Sequence, residues 1–323
     1  MDIINSYQDD PSKEKNLVYM AKPIYGGWVT FTAHLNLKYN YPLFKIGKRS
    51  ETNQRNYGYD VAYQNLKIEE IVKKPNLMIT AIDKHYYEYL HLFPKGTILV
   101  IHDPTELKGK DNPVVKYIHN FRIITIRETV QKYLKENFNV DSEFKVHPFH
   151  EYKSAIEPLS YKCVSVSRID FDKNTDLLLK ANLQLEEEQQ IQIFGAENRL
   201  YVHHKLVQLN FKDYWKGKFD KVYPLQYENK DILKGCKYMI DMSTIKNDGG
   251  GTQYTFLEAI HNDCVLILNN DWIDKGTLFV RGKNCLGCSD ENDITQILQE
   301  DSDYQKIVKD SKKILRKHID VEW

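Results

Sequence analysis

The stretch from Asp248 to Leu268 constrains this chain more than any other. It opens on three consecutive glycines, Gly249, Gly250 and Gly251, followed by Thr252. An amphipathic segment comes next, with Tyr254, Phe256, Leu257 and Ile260 as its apolar members. The apolar run from Cys264 to Leu268 closes it. That order predicts a loop, a helix, a turn and a buried strand. Glycines let backbone N–H groups approach a ligand with no side chain in the way, and a helix N-terminus carries partial positive charge. Such a place suits a phosphate. Glu258, two turns down the helix, is placed to accept hydrogen bonds from ribose hydroxyls. A plain helix–strand unit with a flexible entry loop and a solvated Glu leaves the same trace, because short glycine runs are common.

At 323 residues the chain is long enough for two domains. Hydrophobic content of 41% and charged content of 28% fit a water-soluble globular protein. Lys+Arg and Asp+Glu both number 45, so no global basic charge advertises nucleic acid, although a local basic patch is compatible with that balance. No run of about 18 apolar residues spans a bilayer, and residues 1–15 lack an apolar signal core. The five cysteines, at 163, 236, 264, 285 and 288, lie mostly in apolar contexts and read as reduced thiols of a cytoplasmic protein. Cys285 and Cys288 have zinc-knuckle spacing, but no second pair follows, so no metal is assigned.

Along the chain, an apolar strand from Leu17 to Ala21, a turn at Gly26-Gly27 and a helix from Trp28 to Tyr39 make the opening of a doubly wound α/β domain. Leu43–Ile46 reads as the second strand. Lys45, Lys48, Arg49 and Arg55 follow, interleaved with Tyr57, Tyr59 and Tyr63. Basic plus aromatic residues suit an acceptor surface of nucleic-acid type, and equally a solvated loop. Leu77–Ala81, Thr97–Ile101 and Phe121–Ile126 read as strands, with helices over 82–92 and 128–137. His102 and Asp103 end the 97–101 strand, where a parallel sheet presents side chains to a ligand crevice. A linker near Pro158 divides the halves close to residue 155, giving domains 1–155 and 156–323. The second half restarts the pattern with strands over 162–167, 190–194 and 238–242, and residues 291–317 read as helical.

Three pieces of the second half converge on one ligand type. Arg168 and Lys173 supply two cations just past a strand, the glycine run supplies backbone donors, and Glu258 supplies a carboxylate. Two cations and a helix terminus suit a diphosphate, and a nearby acid suits a nucleoside sugar. Neither a P-loop nor a dinucleotide fingerprint is present, which argues against a kinase or a dehydrogenase.

These residues resemble those of the retaining GT-B glycosyltransferases, especially glycosyltransferase family 4 and its phage DNA-glucosylating relatives. Ser167–Ala181 is similar to that family's G-R-L-x-x-x-K-G segment, whose Arg and Lys bind the donor diphosphate. Ile193–Glu197, with Gly195, is similar to its V-G-x-G loop near the nucleoside. Gly250–Asn269 resembles its E-x7-E helix and following strand, with Glu258 on the second Glu, the ribose contact. Gly250 stands where the family has its first Glu, so the usual carboxylate contact to the transferred sugar is missing. Gly26-Gly27 resembles the glycine loop facing the donor phosphates, and Ile98–Asp103 the V-x-x-H-D strand end near the reacting centre.

The resemblance implies an α/β protein of GT-B fold, two Rossmann-like domains facing each other across a cleft, with the last helix packing back on the N-terminal domain. It implies transfer of a sugar from a nucleotide diphosphate sugar, UDP favoured, with retention and with no metal or other cofactor. The donor would be held by Gly26, Gly27, Arg168, Lys173, Gly195, Gly249, Gly250, Gly251, Thr252 and Glu258. His102 and Asp103 would orient the reacting groups, and Lys48, Arg49 and Arg55 would meet the acceptor. A hydroxymethylated base in phage DNA and a cytoplasmic glycan or polysaccharide both stand as acceptors. A non-catalytic nucleotide-sugar or nucleic-acid binding module is a further alternative. Oligomeric state is left open.

Overall fold

The computed structural model describes residues 14–23, 26–47, 51–56, 60–107, 113–153, 157–158, 161–217, 232–244, 252–274, 278–300 and 302–323. The chain divides into two compact units, Met1–His150 with Asp320–Trp323, and Glu151–Ile319.

The first unit is built on an eight-stranded sheet. Its strands are β1 (Asn16–Met20), β2 (Leu43–Ile46), β3 (Glu51–Asn56), β4 (Asp60–Leu66), β5 (Leu77–Ile82), β6 (Ile98–Ile101), β7 (Arg122–Thr125) and β8 (Glu143–Phe144). They lie in the order β3-β4-β2-β1-β5-β6-β7-β8, and every pairing is parallel except that of β3 with β4. Continuous apolar runs make the central strands: all six residues of β5 and all four of β6 are buried. Strands covered on both faces need that composition.

The second unit holds a six-stranded sheet of β9 (Cys163–Val166), β10 (Ile191–Phe194), β11 (Trp215–Gly217), β12 (Tyr238–Asp241), β13 (Val265–Asn269) and β14 (Leu286–Cys288). Their order is β11-β10-β9-β12-β13-β14, and every pairing is parallel. Counted within the unit this is 3-2-1-4-5-6, the doubly wound dinucleotide-fold order.

Six helices of eight or more residues are described: α1 (Gly27–Tyr39), α2 (Glu128–Phe138), α3 (Thr175–Asn182), α4 (Tyr254–His261), α5 (Glu291–Glu300) and α6 (Gln305–Asp320). Asparagine stops two of them. Asn40 ends α1 and Asn139 ends α2, each in the left-handed conformation that L-residues other than Asn, Asp and Gly rarely take.

Three segments differ from the sequence reading. The basic aromatic loop expected after β2 contains an antiparallel hairpin, β3 and β4, with Arg55 opposite Val61. In β4, Val61 and Tyr63 are buried while Ala62 and Gln64 are exposed, so the period of two was present but carried by few apolar residues. Of residues 82–92, Ile82 ends β5 and the rest are a turn and a short 3-10 helix, Tyr87–Leu92, held by i→i+3 bonds such as Tyr89 N to Tyr86 O. The stretch 291–317, read as helical, is divided into two helices, α5 and α6. Asp303 Oδ1 accepts from Gln305 N at 3.0 Å and starts the second.

Residues 320–323 strap onto the first unit. Lys38 Nζ and Tyr39 Oη both donate to the Val321 carbonyl, at 2.8 and 2.6 Å, and Lys15 Nζ donates to that of Trp323 at 2.9 Å. The Trp323 indole donates to Val146 O at 3.0 Å and meets the Phe31 ring edge-on, centroids 5.0 Å apart.

Gly195, just past β10, has φ +148°, and a Cβ built there would lie 1.7 Å from Ser167 O. The loops after β9 and β10 therefore touch only because no side chain intervenes. Gly195→Ala is expected to cost about 3 kcal/mol, from backbone strain and displaced strand ends. Urea unfolding with an unchanged midpoint would contradict this packing.

Candidate functional site

In an open parallel sheet the two loops at the reversal of strand order leave on opposite faces, and the gap between them receives ligands. In the second unit that point lies between β9 and β12, so the loops at 167–174 and 242–244 are its walls. They are knitted together. Lys173 Nζ donates to Ser243 Oγ at 2.7 Å. Thr244 N donates to Asp172 O at 3.1 Å, and Asn174 Nδ2 donates to Met242 O at 2.8 Å. Ser243 is in turn bonded to Asp241, the last residue of β12: its backbone N donates to Oδ1 at 2.7 Å, and its hydroxyl donates to the same oxygen. Asp241 and Ser243 are both buried.

Arg168 stands on the same loop with an exposed side chain, 63% accessible. It forms ion pairs with Asp170 at 3.0 Å and Asp172 at 3.5 Å. Asp170 also accepts from Asn198 Nδ2 at 2.9 Å, which fixes the loop after β10 beside it. The two cations read from the sequence are thus on one loop in different states. Lys173 is anchored to the facing strand end, and Arg168 is held by local acids at the surface.

Thr252 and Gln253 lead into α4 and are half-buried, and no side-chain hydrogen bond caps the helix start. Its first-turn amides are the donors such a start leaves over. Glu258 lies in α4 between Leu257 and Ala259 and is only 2% exposed. A carboxylate that deep is costly unless it is bound by polar groups. Its neighbour Tyr254 has its hydroxyl pKa pushed well up by burial and then by the Glu258 charge. Gly249, Gly250 and Gly251 lie outside the described residues, as do Lys48 and Arg49. Of Arg55 the backbone is described, within β3.

In the first unit, Gly26 takes φ 98° and Gly27 begins α1 just past β1, again with no side-chain cap. The sequence aimed His102 at a ligand crevice. The structure turns its ring inward, 6% exposed, edge-on to Phe31 with centroids 4.8 Å apart and tilted against Trp28 at 6.3 Å. His102 Nε2 lies 2.7 Å from the carbonyl of Thr80, which can only accept, so Nε2 carries the hydrogen. Burial drives the imidazole pKa down to about 4 against the raising effect of that bond, so the ring is neutral at pH 7. Asp103, half-buried, lies 3.8 Å from Arg127.

Sequence reasoning missed Glu106. Its carboxyl is buried beneath His102, whose backbone N lies 3.3 Å from both its oxygens, and burial pushes its pKa up to about 8. The spacing Asp103-Pro-Thr-Glu106, a tight turn with Glu106 N donating to Asp103 O at 3.1 Å, was the available signal. It also missed Asp241 and Ser243, which carry no pattern beyond ending a strand. Among the described residues no group of three or more His, Cys, Asp or Glu side chains could hold a metal ion. All five cysteines are buried free thiols, and no described helix is long and apolar enough to cross a membrane.

No protein-family model matches the chain, and no curated protein matches it by sequence. Solved structures do match. An α-glucosyltransferase in complex with UDP and a 13-mer DNA superposes with a TM-score of 0.67 at 13% identity, over 95% of this chain and 96% of that one. Anabaena HepE in complex with UDP and glucose gives 0.64 at 12% identity, over 95% and 96%. The pneumococcal O-GlcNAc transferase GtfA, with UDP and GlcNAc, gives 0.51 at 14% identity, over 75% of this chain and 53% of that one. The chain has the GT-B fold.

In GT-B terms each unit is one Rossmann-like half, and the expected donor loop and strand-end His-Asp fall at the carboxyl edges of their respective sheets. The His102 environment makes a testable statement about stability. Its folded pKa of about 4 lies below the ordinary 6.5, so its contribution is complete above pH 6.5 and is lost as pH falls towards 4. The swing amounts to about 3 kcal/mol. Glu106 acts in the opposite sense, losing its contribution as pH rises through about 8. Because Glu106 regains its contribution over the same interval, the readout is a difference: the stability of the native chain relative to His102→Gln is expected to fall by about 3 kcal/mol between pH 7 and 4. Parallel curves for the two proteins would contradict the buried neutral imidazole.

Proposed function

We propose that this GT-B protein is a retaining glycosyltransferase that uses a nucleotide diphosphate sugar, with UDP as its nucleotide. The observation that carries the reading is Lys173, whose ammonium is seated at the strand-order reversal of the second sheet with one donor spent on Ser243 and, among the described residues, two to spare. Structures of the same fold solved with UDP support the choice of nucleotide. The second unit takes the donor. Lys173, Arg168 released from its aspartates, and the amides opening α4 with Thr252 hold the diphosphate; the glycine run 249–251 is assigned the same role from the sequence. Gly195 lets the neighbouring loop close, and Glu258 serves the ribose.

The first unit takes the acceptor, with Gly26 and Gly27 towards the donor phosphates and Asp103 orienting the reacting groups, while the His102 ring stays in the packing behind the strand end. Negative charge grows on the leaving diphosphate as its bond to the sugar breaks, so fixed cations act most strongly in the transition state. The acceptor oxygen forms its bond to the same carbon on the face the diphosphate leaves, and the acceptor proton passes to the departing phosphate. That route preserves configuration without a covalent enzyme intermediate and without a metal.

For the acceptor we favour a hydroxymethylated base in duplex DNA, with the enzyme working in the cytoplasm, the host's if the protein is viral. The match to an α-glucosyltransferase solved on DNA containing a hydroxymethyluracil (HMU) base supports it. The match to an O-GlcNAc transferase supports a second reading, in which a glycan or protein hydroxyl is the acceptor. Lys48, Arg49 and Arg55 are the proposed acceptor contacts.

Alanine at Lys173, and separately at Arg168, is expected to lower transfer from UDP-glucose about 10²–10³-fold while thermal unfolding stays cooperative. Near-normal turnover in both variants removes the diphosphate assignment. For the acceptor, affinity for duplex DNA measured at about 50 and 200 mM salt separates the readings. A DNA enzyme weakens by orders of magnitude over that interval, and a glycan enzyme shows no such slope.

A further inference from the structure

The mechanism uses Lys173 but leaves two buried groups behind it unexplained, Asp241 and Ser243. We propose that they form a relay, Asp241 to Ser243 to Lys173, that sets the position and donor direction of the Lys173 ammonium, with Asp241 as its positioning residue. The proposal rests on the reading of Lys173 as a donor-diphosphate ligand.

The hydrogen-bond directions are forced. An ammonium has no lone pair, so Lys173 Nζ can only donate, and Ser243 Oγ must accept from it at 2.7 Å. The one hydroxyl hydrogen of Ser243 is then free for an acceptor, and Asp241 Oδ1 takes it. The same oxygen accepts the Ser243 backbone N–H at 2.7 Å, so residue 243 is pinned twice. Among the described residues Asp241 Oδ2 is buried with no hydrogen-bond partner. The carboxylate is therefore committed through one oxygen to Ser243. A charge-assisted bond to a buried carboxylate is among the stronger kinds.

The anchor is rigid at its root. Asp241 is the last residue of β12, which pairs with β9 on one side and β13 on the other. Two more bonds hold the residues on either side of Lys173, Asp172 O from Thr244 N and Asn174 Nδ2 to Met242 O. Asn269 Nδ2 reaches the same Met242 carbonyl at 3.2 Å from the end of β13. A long lysine side chain ordinarily loses rotamer entropy when it binds. Here that loss is met on folding, and the ammonium meets an arriving anion already oriented, as preorganised electrostatic stabilisation requires.

The test has an arm without ligand and an arm with it. In the full chain carrying 15N at lysine Nζ, the Lys173 ammonium signal, assigned by its loss in Lys173→Met, reports hydrogen exchange. Exchange is expected to be at least about 10-fold faster in Ser243→Ala and Asp241→Ala, and near native in Ser243→Thr, which restores the hydroxyl. Unchanged exchange in Ser243→Ala overturns the relay. Ser243→Ala removes one hydroxyl only and decides the matter even if Asp241→Ala does not fold.

In the second arm, turnover of UDP-glucose by Ser243→Ala and Asp241→Ala is expected to show kcat lowered about 10–100-fold, with the donor KM changed less than about 3-fold. In the Lys173→Met background the same substitutions are expected to cost nothing further. Fully additive losses overturn the relay's role in transfer. If the exchange arm succeeds and UDP leaves the Lys173 signal unmoved, the relay stands and the nucleotide-sugar reading fails.

Discussion

The reversal of strand order between β9 and β12 governs the second unit. On either side of it the crossing helices lie on opposite faces, so the loops leaving the two strands must part. Anything that binds there meets loop backbone and strand-end side chains, not a filled core. The chain has closed part of that gap with its own polar bonds, from 172 to 244, 173 to 243 and 174 to 242. Three consecutive residues of one loop thereby grip three consecutive residues of the other. Loops that would otherwise be the most mobile parts of the unit become extensions of its sheet.

Burial acts differently in the two units. Beside β12 it encloses an acid bonded through one oxygen to a serine, which in turn accepts from a cation at the edge. Beside β6 it neutralises, leaving His102 uncharged and Glu106 protonated at pH 7. Desolvation disfavours a charged form, and both groups beside β6 are shifted towards neutrality by it. A strand-end histidine is thus not automatically a group that faces ligand. Phe31 and Trp28 claim the imidazole face, and Thr80 O claims its N–H.

Much of the fold was legible in the sequence because unbroken apolar runs are hard to read otherwise. Leu77–Ile82, Ile98–Ile101 and Val265–Asn269 lie close to where their composition put them. The hairpin β3–β4 was not legible, since Val61 and Tyr63 alone carry its buried face amid polar neighbours. Of the proposed site, the Arg168 and Lys173 loop and the α4 entry were singled out by residue type and spacing. What Lys173 holds was not, because Asp241 and Ser243 reach it across 70 residues through pairing that no local pattern encodes. Glu106 was hidden for a related reason: a Glu four positions after a histidine looks solvated until the turn folds it underneath.

Of the described residues other than glycine that take positive φ, all but Asp263 are asparagines: Asn40, Asn76, Asn139, Asn174 and Asn210. A side chain at such a corner narrows what the denatured chain can explore, so each corner costs less entropy to form than a glycine would. At Gly195 the missing methyl is a matter of clearance as well as of backbone conformation. A homologue that traded its corner asparagines for glycine would keep its shape and lose rigidity. One that traded Gly195 for any larger residue would have to pull two strand ends apart.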